Sequence, residues 1–427
     1  MDGTGLNPSF LAQYGITPPT SEAGGWILPA NKYGLGDPGE DNYARFSGGR
    51  GWAGGTYGLF TGFGGCATDT GRYSGNLSSY INGGGDSHLG LNFLWRCVIG
   101  ADLPYTEIVV TGVNVSNMKR CGPTITDQIG AGDSADPTTH YDGTPKGGHR
   151  YHGKKFLEGR NLFTIWGYSN SWPTDRGNND KRVRYASLTT GAWSTTDLTP
   201  LNPFEMKTDE IYWTQKHKYT EDMFQIGVQK LVVWRNKTNT WQNLFSFPNV
   251  NADYSPGIGG IDEDNDYILF WSTVSGGGPA ANFWWTVSGL NTGAAQVLYN
   301  GAPSMTGPCS DMRAIAVANG TTERYFGMCR CPDRNTGGLY PGSFLVYICA
   351  NAGAIPTPTT QPTVYEIIRT GANTFSSALL SPTGPGSTSS QHSHGGVGGS
   401  WQYFPQLKGM VIQDQENVPM WYLRTAT

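Results

Sequence analysis

The chain has 427 residues, 15% of them charged, a formal net charge of −4, 61 Gly, 26 Pro, 14 Trp, 22 Tyr and 17 Phe. This aromatic content excludes a disordered chain, and the glycines lack the strict period of collagen. The mild acidity argues against nucleic acid as a bulk electrostatic partner, and no apolar run reaches the length of a membrane span, so no membrane insertion is expected.

Residues 1–50 read as a Pro- and Gly-rich arm with one strand signal, Gly25-Trp-Ile-Leu-Pro29. The opening Met1-Asp-Gly-Thr-Gly has neither a basic start nor an apolar run, so no secretory signal is expected. From residue 51 onward short Val/Ile/Phe/Tyr/Trp runs recur, and a helical apolar period is absent over any long window. They group into six units at about 51–112, 146–200, 209–247, 254–300, 310–371 and 393–427. In the second unit the first strand is expected at His149–His152, and in the fifth at Arg313–Val317. Four short strands per unit, repeated radially, predict an all-β, six-bladed β-propeller. The last unit shows three strands, at Trp401–Phe404, Gly409–Ile412 and Met420–Leu423, so the strand near Trp26–Leu28 is expected to supply its fourth and close the ring.

A recurring turn supports this division. Tyr185-Ala-Ser-Leu-Thr-Thr-Gly-Ala-Trp193 and Leu231-Val-Val-Trp-Arg-Asn-Lys-Thr-Asn-Thr-Trp241 each place a Thr/Asn/Gly turn between an apolar strand and an aromatic. Weaker copies cover 284–297 and 94–105, and all four fall between third and fourth strands. On that face the turns are mostly short, whereas 84–91, 113–148, 168–181, 331–342 and 372–395 form a long-loop rim. The connection at 350–362 breaks the pattern.

Asn82-Gly-Gly-Gly-Asp-Ser-His88, followed by Asn92-Phe-Leu-Trp-Arg-Cys-Val98, resembles a blade of the kelch-like, galactose-oxidase-central-domain-like propellers. Asp142-Gly-Thr-Pro-Lys-Gly-Gly-His149-Arg-Tyr151 resembles their lead-in to the next blade, and residues 400–424 resemble their closing blade. Asp86 stands where the family has His. Such propellers are common in phage and bacterial genomes. The resemblance therefore implies a virion or particle-surface component, made in the host cytoplasm.

Several chemical motifs compete with that reading. A copper–radical site, which the galactose-oxidase resemblance invites, needs two Tyr, two His and a cross-linking Cys; His392-Ser-His394 supplies half, with no companion Tyr/Cys motif. Gly85-Asp-Ser87 and Gly132-Asp-Ser134, with Asp136 and His140, imitate a hydrolase nucleophile set, but no helix follows to build an oxyanion hole. Asp262-Glu-Asp-Asn-Asp266 spaces carboxylates like a calcium loop, yet Tyr267 and Thr273 stand where an EF-hand requires Gly and Glu, so a polar turn explains it better. Gly49-Arg-Gly-Trp-Ala-Gly54 matches a dinucleotide fingerprint without its helix. Nine Lys/Arg against three acids in 146–184 read as a solvated face before an anion site. Seven scattered cysteines do not form a disulfide framework, and Cys329-Arg-Cys331 places two thiols on one face of a strand, where buried free thiols are expected.

No cofactor, metal or catalytic residue is thus expected. What remains is a binding surface on the long-loop rim, carrying Asp86, His88, His140, Tyr168, Trp172, Arg176, Arg334, Tyr340, His392 and His394. Aromatics beside Asp and Arg stack on sugar rings and hydrogen-bond hydroxyls; the competing role for Trp172 and Tyr340 is to staple their loops to the body. The expected partners are other virion or particle proteins and a host-surface glycan. The alternatives are a carbohydrate-active enzyme using paired rim carboxylates and an intracellular kelch-like adaptor.

Overall fold

The computed structural model describes residues 26–27, 67–70, 72, 78–82, 94–98, 105–110, 143–145, 152–168, 180–204, 213–227, 230–246, 253–275, 283–290, 298–301, 303–319, 326–348, 363–380, 401–405, 408–412 and 421–425. Among them the chain is mostly antiparallel sheet with little helix. Strand β1 (Trp26–Ile27) precedes six small sheets, numbered here in chain order.

Sheet 1 holds β2 (Ala67–Asp69), β3 (Ser78–Asn82), β4 (Leu94–Val98) and β5 (Tyr105–Val110). Sheet 2 holds β6 (Lys154–Leu157), β7 (Leu162–Tyr168), β8 (Asp180–Ser187) and β9 (Ala192–Trp193). Sheet 3 is β10 (Thr214–Lys216), β11 (Met223–Gly227), β12 (Lys230–Arg235) and β13 (Thr240–Ser246). Sheet 4 is β14 (Asp253–Asp262), β15 (Tyr267–Ser275), β16 (Phe283–Ser288) and β17 (Leu298–Gly301).

Sheet 5 differs. Strand β18 (Ser304–Thr306) runs parallel to the fourth strand of the meander and covers its edge. Helix α1 (Met312–Ala318) follows, and then β19 (Gly327–Cys331), β20 (Ser343–Ile348), β21 (Thr363–Gly371) and β22 (Thr374–Leu380). Sheet 6 is β23 (Trp401–Phe404), β24 (Gly409–Ile412) and β25 (Trp421–Arg424), with β1 on its outer edge, Trp26 opposite Leu423 and Ile27 opposite Tyr422.

The middle strands read as unbroken apolar runs because they are covered on both faces. In β20, Phe344, Val346 and Ile348 pack toward sheet 4, while Leu345 and Tyr347 pack toward sheet 6. In β15, Tyr267, Leu269 and Trp271 face sheet 5, and Ile268 and Phe270 face sheet 3. In β12, Leu231 and Val233 face sheet 4 and Trp234 faces sheet 2. Each such side chain contributes about 1.5–3 kcal/mol by leaving water. Consecutive sheets therefore stack face to face. First strands lie against first strands, β2 on β6, β14 on β19 and β19 on β23.

Two glycines of β14 allow that close stacking. A Cβ on Gly259 would lie 2.6 Å from Trp213 Nε1, and one on Gly260 would lie 2.6 Å from Phe344. Neighbouring aromatics thus rest on bare backbone from both sides, which only glycine permits.

The recurring turn falls between third and fourth strands in every copy, β8–β9, β12–β13, β16–β17 and β4–β5. Gly191 and Asn239 take the left-handed conformation it needs. Asn239 Oδ1 accepts a 2.9 Å hydrogen bond from Trp234 Nε1, and the turn delivers Trp241 against Trp166 of sheet 2.

Two strand expectations fail. Residues 313–317 lie in α1, not in a strand: Asp311 caps the helix by accepting from Ala314 N, and the run Met-Arg-Ala-Ile-Ala-Val-Ala is alanine-rich. A short apolar run cannot be told from a buried strand by periodicity. The first strand of sheet 5 is therefore β19, so 332–342 joins first to second strand and 349–362 joins second to third. The apparent exception at 350–362 disappears with that shift. In sheet 2 the first strand is β6, and His152–Gly153 form the turn before it.

Candidate functional site

Where first strands turn into second strands, a chain of polar contacts runs from sheet to sheet. Glu158, at the end of β6, accepts from Thr70 of the sheet 1 turn at 2.9 Å and from Lys216 Nζ of β10 at 3.0 Å. Lys216 also donates to Phe156 O, and Gly159 N donates to Glu221 of the sheet 3 turn at 3.0 Å. The same sheet 3 turn reaches sheet 4. Lys218 Nζ meets both oxygens of Asp264 at 2.8 and 3.0 Å, Tyr219 OH donates to Asp264 at 2.7 Å, and Lys218 N donates to Glu263. Arg72 of sheet 1 donates to Lys218 O at 2.9 Å.

Sheet 5 joins through Arg330, the next-to-last residue of β19. Its Nε lies 2.6 Å from Asp262 and its Nη1 3.0 Å from Asp264, contacts of charge without hydrogen-bond alignment, while Nη2 donates to Pro341 O. Asp262 also accepts from the backbone and side chain of Asn265, so the acidic run 262–266 is the polar turn expected of it. Sheet 6 joins through Tyr403 OH, which donates to Asp333.

The electrostatics follow from these contacts. Burial opposes the ionised forms of both Lys218 and Asp264, but their mutual hydrogen bond outweighs it: with Glu263 and Tyr219 it holds Lys218 above its usual range, and with Tyr219 and the Arg330 charge it holds Asp264 below its own. Burial pushes the neighbouring Glu263 carboxyl up. Such a set suits fastening. A carboxylate held ionised by a lysine, a tyrosine and an arginine is a poor proton donor for glycosidic-bond cleavage. Among the described residues no group of three or more His, Cys, Asp or Glu is gathered for a metal ion, and no helix is long and apolar enough to cross a membrane.

Of the expected rim residues, Asp86, His88, His140, Trp172, Arg176, His392 and His394 lie outside the described residues. Tyr168 ends β7. Arg334 and Tyr340 are placed, and their loop is corrected: 332–342 joins first to second strand, so it sits with the short turns at the opposite end from the second-to-third connections. Arg334 forms two hydrogen bonds to Glu366, at 2.7 and 2.9 Å, and this pairing raises its guanidinium further. Tyr340 lies over the Arg369 guanidinium at 4.2 Å, with Tyr267 against that guanidinium at 4.4 Å. Tyr340 thus staples its loop. Gly342, at φ +91°, leaves the room that Arg330 fills.

Of the expected buried pair, Cys331 is buried and Cys329 is half-buried. Cys329 and Cys331 alternate with Arg330 on β19, and with Cys309 they are free. Burial pushes Cys329 up to about 11 and Cys309 and Cys331 to about 12, which disfavours their thiolate forms. The inter-sheet fasteners Glu158, Lys216, Lys218 and Arg330 were not legible as a set. The basic stretch 146–184, which holds Glu158, the acidic run 262–266 and the Lys216-His-Lys218 cluster marked charge there without linking it.

No family model and no curated protein matches the chain. Solved structures similar to it are β-propeller-like. They include an auxiliary nutrient binding protein from Bacteroides thetaiotaomicron, at 11% identity and TM-score 0.41, covering 85% of this chain and 69% of that one. A Trypanosoma rangeli sialidase follows at 9% and 0.37, covering 86% and 55%. TolB from Acinetobacter baumannii shows 8% and 0.28, covering 81% and 69%. None of these likenesses is specific to the kelch or galactose-oxidase type.

Proposed function

We propose that the six sheets are the blades of one closed, kelch-like propeller, with β1 completing the last blade. We further propose that the protein is a non-catalytic structural or attachment component of a virion or particle surface. It would act through contacts with other particle proteins and through host-surface glycan held at the long-loop rim. The observation that supports this reading most is the use of charge at the first-to-second-strand end. There three carboxylates are committed to neighbouring sheets, Glu158 to Lys216, Asp264 to Lys218 and Asp262 to Arg330. That end works as scaffold, which leaves recognition to the opposite rim.

The test has two arms. Purified particles from a producing strain are digested and searched for peptides of this chain by mass spectrometry; its absence from them removes the virion reading. The isolated protein is then incubated with host-surface polysaccharide. Retention without released sugar is expected, whereas soluble oligosaccharide products would make it a carbohydrate-active enzyme.

A further inference from the structure

The sheet 3 turn, residues 217–222, ties its sheet to three others, and one uncharged imidazole organises it. His217 is 2% exposed. Its Nδ1 accepts from the backbone N–H of both Tyr219 and Thr220 at 3.3 Å, so the proton of the neutral ring sits on Nε2. The backbone closes the turn through His217 N to Asp222 O and Glu221 N to His217 O, each 2.9 Å. Glu221 is held at φ +58°, a left-handed conformation that a non-glycine residue adopts at a cost. The turn is therefore strained and needs its internal acceptor.

We propose that the turn 217–222 is an acid-released latch, in which neutral His217 holds the backbone that fastens sheet 3 to sheets 1, 2 and 4, and protonation of Nδ1 undoes it. A protonated Nδ1 is a donor facing two donors. Both N–H groups lose their partner, and Lys218, held between His217 and Tyr219, carries the fasteners to Asp264, Glu263 and Arg72.

The charged groups facing the ring are Asp222 and Lys218 of the turn itself, Arg235 of β12 and Asp264 of sheet 4; Phe224 and Tyr219 pack on it as uncharged rings. Burial is the main reason the imidazole is pulled down to about 4. Asp222 and Asp264 pull the other way, and Lys218 and Arg235 add to the fall. The unfolded imidazole takes its proton near 6.5. Between that pH and about 4 the unfolded chain binds a proton that the folded turn refuses, so the latch weakens as pH falls through this window.

The test uses the full chain and amide hydrogen exchange read by mass spectrometry, corrected for intrinsic rate, from about pH 7 to about 3.5. His217→Asn places a non-titrating oxygen near the Nδ1 position. In the natural chain, protection at Tyr219 and Thr220 is expected to fall roughly tenfold or more across the window, ahead of β20. H217N is expected to keep it. Equal loss in the turn and in β20, full protection in the natural chain at the lowest pH, or the same acid loss in H217N would each overturn the latch. His152, buried with neither nitrogen partnered and pulled down to about 3 by burial and Lys155, adds an acid penalty common to both proteins. Should H217N not fold, the imidazole titration of the natural chain decides by NMR. A midpoint near 4 tracking the loss of protection supports the latch, and an ordinary midpoint near 6.5 overturns it.

Discussion

The turn 217–222 and the loop 332–342 make the same connection, first strand to second, and use their polar side chains in opposite directions. The short turn sends Lys218, Tyr219 and Glu221 sideways into other sheets. The long loop turns mainly back on its own sheet, through Arg334 to Glu366, Tyr340 over Arg369 and Asn335 Nδ2 to Tyr340 O, with lateral contacts at Asp333 and at Pro341 O, which accepts from Asn265 of sheet 4. The six-residue turn folds back only through its short polar groups, His217, Thr220 and Asp222, and its longer side chains find partners next door. An eleven-residue loop must first fix itself, because its ordering entropy is larger. The lesson is that the length of a connection decides whether its charges hold the sheets together or hold the connection in place.

Arg330 links the two through sheet 4, since it touches the loop's Pro341 carbonyl, Asp262 and the Asp264 that Lys218 also holds. Arg330→Ala leaves Asp262 buried without its cation and is expected to cost about 3 kcal/mol in chemical unfolding. Exchange should rise in both the sheet 4 turn and the loop; a rise confined to one would break the comparison. Glu366→Gln comes next. It removes the charge that Arg334 grips and that Ser343 Oγ also donates to, at about 2 kcal/mol. Exchange should rise across 332–342 and stay unchanged in β10–β13, and loosening of sheet 3 would show that the loop is not self-contained.

The smallest effect belongs to Lys218→Met, because Lys218 and Asp264 are both more than a third exposed; under about 1 kcal/mol is expected at neutral pH. Its signature is in the pH dependence. Asp264 is held below its ordinary value, so its share of stability is present above the usual carboxylate range and lost as pH falls through the lowered value. Stability profiles of K218M should therefore be shallower on the acid side than those of the natural chain. Parallel profiles would assign the hold on Asp264 to Tyr219 and Arg330 instead.

Much of the architecture was readable from the chain. The turn ending in Trp193 and Trp241, the unbroken apolar run of β12 and the strand at Trp26 all carry local signals that need no partner to be seen. The strand expected at 313–317 failed because a seven-residue run with six apolar residues fits a capped helix as well as a buried strand, and that one change of element moved Arg334 and Tyr340 to the other end of their sheet. The fastening residues were opaque for a different reason. Glu158 and Lys216 stand 58 positions apart, and Lys218 and Asp264 stand 46 apart, with no periodicity linking them.

By itself, then, the sequence determined the secondary structure of most sheets and which strand faces would be apolar, because pleat and turn chemistry act within a few residues. The tertiary structure alone decided which charge meets which. It also set Gly259 and Gly260 under Trp213 and Phe344, and made a neutral His217 the acceptor of its own turn. Those outcomes depend on the stacking of one sheet against the next, and only the folded chain brings such distant side chains within hydrogen-bond reach.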